Sequence, residues 1–194
     1  MMAGRKQFDV DSALDAAMIQ FWRAGYAGTS LDDLSHATGL NRSSIYSSLG
    51  DKDSLYLRCL DRYATRYGDK YDRALSRASE EPLRAIREFF GVTLARIADP
   101  GLPDGCLIAQ TAMAIPVLSP EIAARAVEAL GFQRARLRKA LKAAKLPDAD
   151  AFAVHIAAVN QSLAVMSRAG APPKQLRTIV EVSVSALSQA LPAD

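Results

Sequence analysis

Two cysteines and two histidines in 194 residues leave little to build a metal centre or a disulfide framework from. Cys59, Cys106, His36 and His155 are scattered, without metal-ligand spacing, and two thiols suit a reducing compartment. No uninterrupted apolar run approaches the ~20 residues of a membrane span. The first ten residues, MMAGRKQFDV, carry two basic side chains with no apolar stretch behind them, which does not match a signal peptide. The expectation is a cytoplasmic protein that does not engage a membrane. Strand-like alternation is missing too, and no Asn-Gly or Asp-Gly turn is flanked by strand-like segments. There is no Ser/His/Asp, Cys/His or paired-Glu constellation and no glycine-rich phosphate loop, so the chain is not read as an enzyme and no cofactor is expected.

Charge offers little guidance. The net charge is +3 with a pI near 8.9, and mean hydropathy is +0.00 with 49% hydrophobic residues, the profile of a folded domain. Residues 1–68 hold eight basic and eight acidic side chains, so the N-terminal third is neutral. Any nucleic-acid surface there must come from local placement and not from bulk charge. Arg134, Arg136, Arg138, Lys139, Lys142 and Lys145 form a basic run without an acid, which reads best as a solvated helix face.

What the chain has is helical periodicity throughout. Val10, Leu14, Ala17, Met18, Phe21 and Trp22 form one apolar stripe that stops at Gly25. Ser30 caps a short helix from Leu31 to about Ala37, and Asp33 is placed to complete a capping box. Thr38-Gly39-Leu40 makes a tight turn. Asn41 caps a third helix over Arg42–Ser48, which Gly50 ends. Asp51 caps a long helix running toward Ala78. Five further helices are expected, over Leu83–Ile97, Cys106–Ile115, Pro120–Lys145, Asp150–Arg168 and Gln175–Leu191, giving an all-α chain of about nine helices.

The run LDDLSHATGLNRSSIYSSL, Leu31–Leu49, carries the strongest signal. Two short helices meet at Gly39, where a left-handed turn suits glycine, while Leu34, Leu40 and Ile45 are spaced to fill the angle between them. In such a pair the second helix enters the major groove. Its candidate contacts are Arg42, Ser43, Ser44, Tyr46 and Ser47, on a stretch from Asn41 to Gly50 with no acidic residue. Arg42 suits either a guanine edge or a phosphate. Thr29, Ser30, Tyr46 and Lys52 suit phosphate contacts, with backbone N–H groups at helix starts.

The segment ALDAAMIQFWRAGYAGTSLDDLSHATGLNRSSIYSSLGDKDSLY resembles the N-terminal domain of TetR-family transcriptional regulators. Phe21, Gly25-Tyr26, Thr29-Ser30-Leu31, Leu34, Gly39, Ile45-Tyr46, Leu49-Gly50, Lys52 and Leu55 carry the resemblance over about residues 8–60. Ser48 and Leu49 stand where many members have His and Phe. The resemblance implies a three-helix DNA-binding domain over residues 1–50, joined by a long helix to a ligand-binding and dimerisation domain over 51–194. It implies a homodimeric repressor released from a palindromic double-stranded DNA operator by a small-molecule effector. Small residues along the last two helices fit dimerisation there.

From family architecture and residue type, the effector pocket is expected at Tyr63, Tyr67, Phe89, Phe90, Thr93, Ile97, Cys106, Gln110, Met113, Phe132, Phe152 and His155. Each of these has an ordinary reading as core, and Cys106 reads first as a small buried hydrophobe. The competing function is an all-α binding or interaction protein that does not act through DNA and keeps the helix-turn-helix only as packing.

Overall fold

The computed structural model describes residues 9–191; Arg5, Lys6 and Phe8, the expected start of the N-terminal domain, lie outside them. Among the described residues there are nine α-helices, one 3-10 turn and no strand. They are α1 (Val10–Ala24), α2 (Leu31–Thr38), α3 (Arg42–Leu49), α4 (Lys52–Leu75), α5 (Pro82–Ala98), α6 (Leu107–Met113), α7 (Pro120–Ala143), α8 (Ala149–Arg168) and α9 (Pro173–Ala190).

The starts of the first four helices follow from their capping residues. Asp9 accepts from the Asp11 N–H at 3.0 Å, Asn41 from Ser44 at 2.8 Å and Asp51 from Ser54 at 2.8 Å. At α2 the capping box forms in full: the Asp33 N–H donates to Ser30 Oγ at 3.1 Å, and the Ser30 N–H donates to the Asp33 carboxylate at 2.8 Å. Of the α1 stripe, Leu14, Ala17, Met18, Phe21 and Trp22 are buried, with Ala13 beside them, whereas Val10, the first residue of the helix, is exposed. Leu34 of α2 and Ile45 and Leu49 of α3 are buried with it.

Several boundaries differ from the periodicity reading. Pro116 cannot continue a helix, so α6 stops at Met113 and a 3-10 turn follows at Ile115–Val117. α9 begins two residues early because Pro173 occupies its first turn, where a missing N–H costs nothing. α7 ends at Ala143, before Lys145 and Asp148 adopt positive φ angles of 54° and 55°. α4 ends at Leu75, short of Ala78.

α4 is the shared element. It packs on α1 on one side and on α5, α6 and α7 on the other, while α8 is sandwiched against α5, α6, α7 and α9. α8 is the one described helix long and apolar enough to cross a membrane, but Ile156, Asn160 and Leu163 on its inner side are buried against its neighbours.

Gly39 adopts φ 69°, ψ 12°, and a Cβ added there would meet no atom within 4 Å. The glycine is required by backbone conformation alone. Gly39→Ala is expected to destabilise the protein by about 1–2 kcal/mol, the usual cost of a left-handed residue with a Cβ, as read by urea unfolding.

Asp15 ties α1 to α4. It accepts from Arg62 Nε at 2.8 Å and Nη2 at 2.9 Å, and from Arg66. The Arg62 bonds, more than the Arg66 charge, hold its carboxyl below 3.8, against a smaller opposing effect of burial. A carboxyl depressed by folding stabilises the native state above its unfolded pKa, and that contribution disappears as pH falls through the folded value. Between about pH 5 and pH 3, wild type should therefore lose more stability than Asp15→Asn in parallel denaturant titrations.

Candidate nucleic-acid interface and effector cavity

α3 turns Ile45 and Leu49 inward, and its 3.6-residue period therefore leaves Arg42, Ser43, Tyr46, Ser47 and Ser48 facing solvent. Tyr46 is 52% exposed, unusual for a tyrosine with no core role. Ser44 is half-buried, with its N–H on the Asn41 cap. Ser47 Oγ donates back to the Ser44 carbonyl at 3.3 Å, leaving its lone pairs outward. Arg42 is engaged across the helix pair: Nε and Nη2 both donate to Asp32 of α2, at 2.9 and 2.7 Å. That pair is exposed on both sides, so salt screens it and a phosphate or guanine edge can displace the carboxylate at little cost.

The flanking candidates divide. Ser30 lies exposed at the start of α2, its hydroxyl on Asp33. Thr29 is only 1% exposed, and its hydroxyl donates to the Gly25 carbonyl at 2.7 Å. Its side chain is brought to the loop before α2 and not to the outer face. Lys52, at the start of α4, places its ammonium 4.2 Å from the Tyr26 ring centroid, and burial lowers its pKa. Tyr26 itself donates to Asp53; burial first, then that bond, pushes its phenol up to about 12. Arg58 was not expected here. Its Nη1 donates to the Ser48 and Leu49 carbonyls at 3.2 and 3.4 Å, capping the C-terminus of α3 from α4. A lone arginine on an amphipathic helix carries no sequence signal for that role.

In the C-terminal region a cavity of about 250 Å³ opens between α4, α7 and α8, with Arg96 of α5 and the start of α6 behind it. Of the twelve pocket residues read from the sequence, Tyr67, Cys106 and Phe132 line it. Phe89 and Phe90 are fully buried core, with Phe89 tilted against Tyr71 at 4.6 Å between centroids. Tyr63 is buried behind the wall, and Thr93 is buried with its hydroxyl donating to Asn160 Oδ1 at 2.7 Å. Ile97 and Phe152 pack against the core, while His155 and Met113 face solvent. Gln110 lies instead where α6 meets the end of α1. The lining residues missed were chiefly Tyr71, Arg96 and Asn160. Arg96 was legible in principle, since it falls on the Ile86, Phe89, Phe90, Thr93 stripe that α5 buries.

α6 connects this cavity to the N-terminal helices. Ile108, the second residue of α6, lines the cavity. Gln110 approaches Gly25 so closely that a Cβ there would stand 2.9 Å from Gln110 Nε2. Thr111 Oγ1 donates to the Leu107 carbonyl and accepts from the Tyr56 hydroxyl of α4 at 2.7 Å. Arg168, at the end of α8, donates to the Trp22 carbonyl at 3.2 Å, the Arg23 carbonyl at 2.9 Å and Gln110 Oε1 at 3.1 Å. It thereby closes the C-terminus of α1 against α6. Of the two thiols, Cys59 is inert packing, pushed up to about 12 by burial.

Known proteins share the sequence pattern and the fold. The model of bacterial regulatory proteins of the tetR family matches residues 13–59, and that of the tetracyclin repressor-like C-terminal domain matches residues 82–182. The HTH-type transcriptional repressor ComR of Escherichia coli is 33% identical over 118 residues, 61% of this chain and 56% of that protein. YezE of Bacillus subtilis, an uncharacterized HTH-type transcriptional regulator, is 31% identical over 125 residues, 63% of this chain and 62% of its own length. These alignments span less than two thirds of either relative. Among solved structures, the TetR family transcriptional regulator CifR, a cysteine mutant complexed with 26bp double-strand operator DNA, is 27% identical. It superposes with a TM-score of 0.80 over 95% of this chain and 99% of that one. A TetR-family regulator from Streptomyces coelicolor shares the fold at a TM-score of 0.82 and 16% identity, over 94% and 95% of the two chains. With a helix-turn-helix matched at its N-terminus and more than half its length matched by the C-terminal model, the chain belongs to the TetR family of bacterial regulatory proteins.

Proposed function

We propose that the protein is a homodimeric, sequence-specific DNA-binding transcriptional repressor, released from a palindromic operator when a small molecule occupies the C-terminal cavity. The observation that carries this reading is the outer face of α3. Five consecutive-turn residues, Arg42, Ser43, Tyr46, Ser47 and Ser48, are exposed with no acid between Asn41 and Gly50, on a helix fixed by Gly39 and capped by Arg58. That is a surface shaped for a groove, and the CifR structure, in which a relative of the same fold is complexed with operator DNA, supports it. Arg42 and Ser43 are assigned to base edges. Ser30, Ser44, Tyr46, Ser47 and Lys52 are assigned to phosphates, with Thr29 holding the loop that presents Ser30. Residues up to 50 form the reading head and 51–194 the sensing and pairing domain.

Dimerisation is assigned to α8 and α9. Ala151, Val154, Ala158 and Val165 of α8 are exposed on one side, and Val182, Ser185 and Ala186 on α9. Apolar and small side chains at helical spacing allow two helices to meet their copies closely, and a two-fold protein suits a two-fold operator. Release runs through α6. Ile108 faces the cavity, while Gln110 and Thr111, two and three residues on, hold Gly25 and Tyr56. A ligand that shifts this seven-residue helix shifts the anchors of α1 and α4 together.

The test is selection of duplexes from a random pool, followed by fluorescence anisotropy and sedimentation. The expected result is a palindromic consensus bound by two chains, with affinity falling as salt rises. A chain that sediments as a monomer at micromolar concentration and selects no sequence would leave an α-helical interaction protein instead.

A further inference from the structure

Arg96 sits in the interior as a cation without a counter-ion. It is 4% exposed, on the buried stripe of α5. A guanidinium keeps its proton under all ordinary conditions, so burial does not neutralise it. Other arginines that leave the solvent partly behind have carboxylates: Arg62 and Arg66 pair with Asp15, and Arg136 with Asp72. Arg96 pairs with none among the described residues. Nη1 makes one long bond, donating to the Tyr71 hydroxyl at 3.4 Å, and Nε has no hydrogen-bond partner. The guanidinium lies 5.0 Å from the Tyr67 ring centroid and 5.9 Å from that of Tyr63. Tyr63 Oη is the other buried side-chain polar atom left without a partner among the described residues. The two orphans thus belong to neighbouring side chains, and of the two residues Arg96 lines the cavity.

Leaving a buried charge unpaired costs more than any neutral hydrogen bond returns, and ring faces offset only part of that. The polar neighbours do not relieve it. The Tyr71 hydroxyl accepts from Arg96 and from Asn160 Nδ2, and donates to Thr93, which donates on to Asn160 Oδ1. That chain consumes acceptors and supplies no negative charge. The same cavity is also lined by the apolar side chains of Ile108, Leu130 and Phe132. Its volume of about 250 Å³ lies under the ~300–1,000 Å³ of drug-sized pockets, which favours a compact occupant.

We propose that this cavity takes a small organic anion, with the charge of a carboxylate or an equivalent group received by Arg96 and a short apolar or aromatic body lying against Ile108, Leu130 and Phe132. The inference rests on the reading of this cavity as the effector site and adds the chemical class of the effector. It also accounts for an arginine on the buried stripe of α5: its counter-ion arrives with the ligand.

The test reads binding on the purified full chain without DNA, so a failure of operator recognition would leave its result standing. Benzoate and hexanoate are compared with benzamide and hexanamide by calorimetry and thermal unfolding, against sodium chloride at matched ionic strength. The expected result is that the acids bind at least about tenfold more tightly than their amides, as a charge-assisted pair should. Arg96→Met should abolish that preference while melting no lower than wild type without ligand, since it removes an unpaired buried charge and keeps apolar bulk. Arg96→Lys should keep part of the preference. The proposal is overturned if amides bind as well as acids, in which case the cavity remains an effector site for neutral molecules. It is equally overturned if chloride alone gives the full stabilisation, if none of the four probes binds at millimolar concentration, or if Arg96→Met keeps the acid preference. A large loss of stability in ligand-free Arg96→Met that Arg96→Lys restores would make the residue structural and would also refute it.

Discussion

The double variant Arg42→Ala, Tyr46→Ala is expected to lose at least ~100-fold in operator affinity, since a good base contact discriminates by roughly 5- to 150-fold and a dimer uses each one twice. The same protein should unfold within about 2 °C of wild type, because exposed side chains away from caps and core contribute little to stability. Both residues point away from the packing that builds the head: Ile45 and Leu49 fill the interior, and Tyr46 is half outside it. Arg42 gives up only its exposed bond to Asp32. The two substitutions separate on specificity. If Arg42 reads a base, Arg42→Ala alone relaxes sequence preference at one position of each half-site. If it contacts phosphate, affinity falls evenly across sequences and the salt slope becomes shallower. Asp32→Ala is the useful companion, since it frees Arg42 without touching α3 and should strengthen binding at low salt. Anisotropy titrations on the selected duplex and on single-base variants measure all three.

Trp22→Ala should be the most damaging single change outside the reading face, with a loss of about 3–5 kcal/mol. Typical domains have about 5–15 kcal/mol in all, so the variant is expected to be partly unfolded at 37 °C. Trp22 is fully buried and meets Tyr63 and Tyr67 of α4 edge-on at 5.1 and 6.3 Å between centroids. Its indole N–H donates to the Asp104 carbonyl at 3.2 Å, just before α6. One side chain thus joins α1, α4 and the loop leading to α6. Trp22→Phe separates packing from the hydrogen bond. It keeps most of the apolar bulk, and the Asp104 carbonyl retains a contact from Arg168 at 3.4 Å, so the expected loss is about 1–2 kcal/mol. Urea unfolding followed by circular dichroism gives both values. A Trp22→Ala protein as stable as wild type would mean that α1 is not held to the C-terminal domain as described.

The head was legible because local signals agree there. Ser30 with Asp33, Asn41, Gly39 and the 3.6-residue stripe of α1 each specify the same geometry, and each holds in the structure. The cavity was much less legible. Aromatic residues at helical spacing looked like a pocket, yet Phe89 and Phe90 are fully buried core, and only Tyr67, Cys106 and Phe132 of the expected twelve reach the space. Periodicity reports which face of a helix is covered. It does not report whether the cover is another side chain or a void, and that depends on how five helices stack. The polar clue was more informative than the aromatic ones. Arg96 on a buried stripe conflicts with its surroundings, and such conflicts mark places where function overrides packing. The junction at Arg168 had no local signal, since its partners lie about 145 residues away in the chain.

The central claim, that α3 is a DNA-reading helix in a two-fold protein, is tested most directly by one measurement. The affinity of the purified chain for its selected duplex and for a scrambled duplex of equal length is determined across a salt series, with stoichiometry by sedimentation. The expected result is two chains per duplex, a preference for the selected sequence of about 10³-fold or more, and log affinity falling linearly with log salt, at about −0.9 per phosphate contacted. Equal affinity for both duplexes, or binding indifferent to salt, would contradict it.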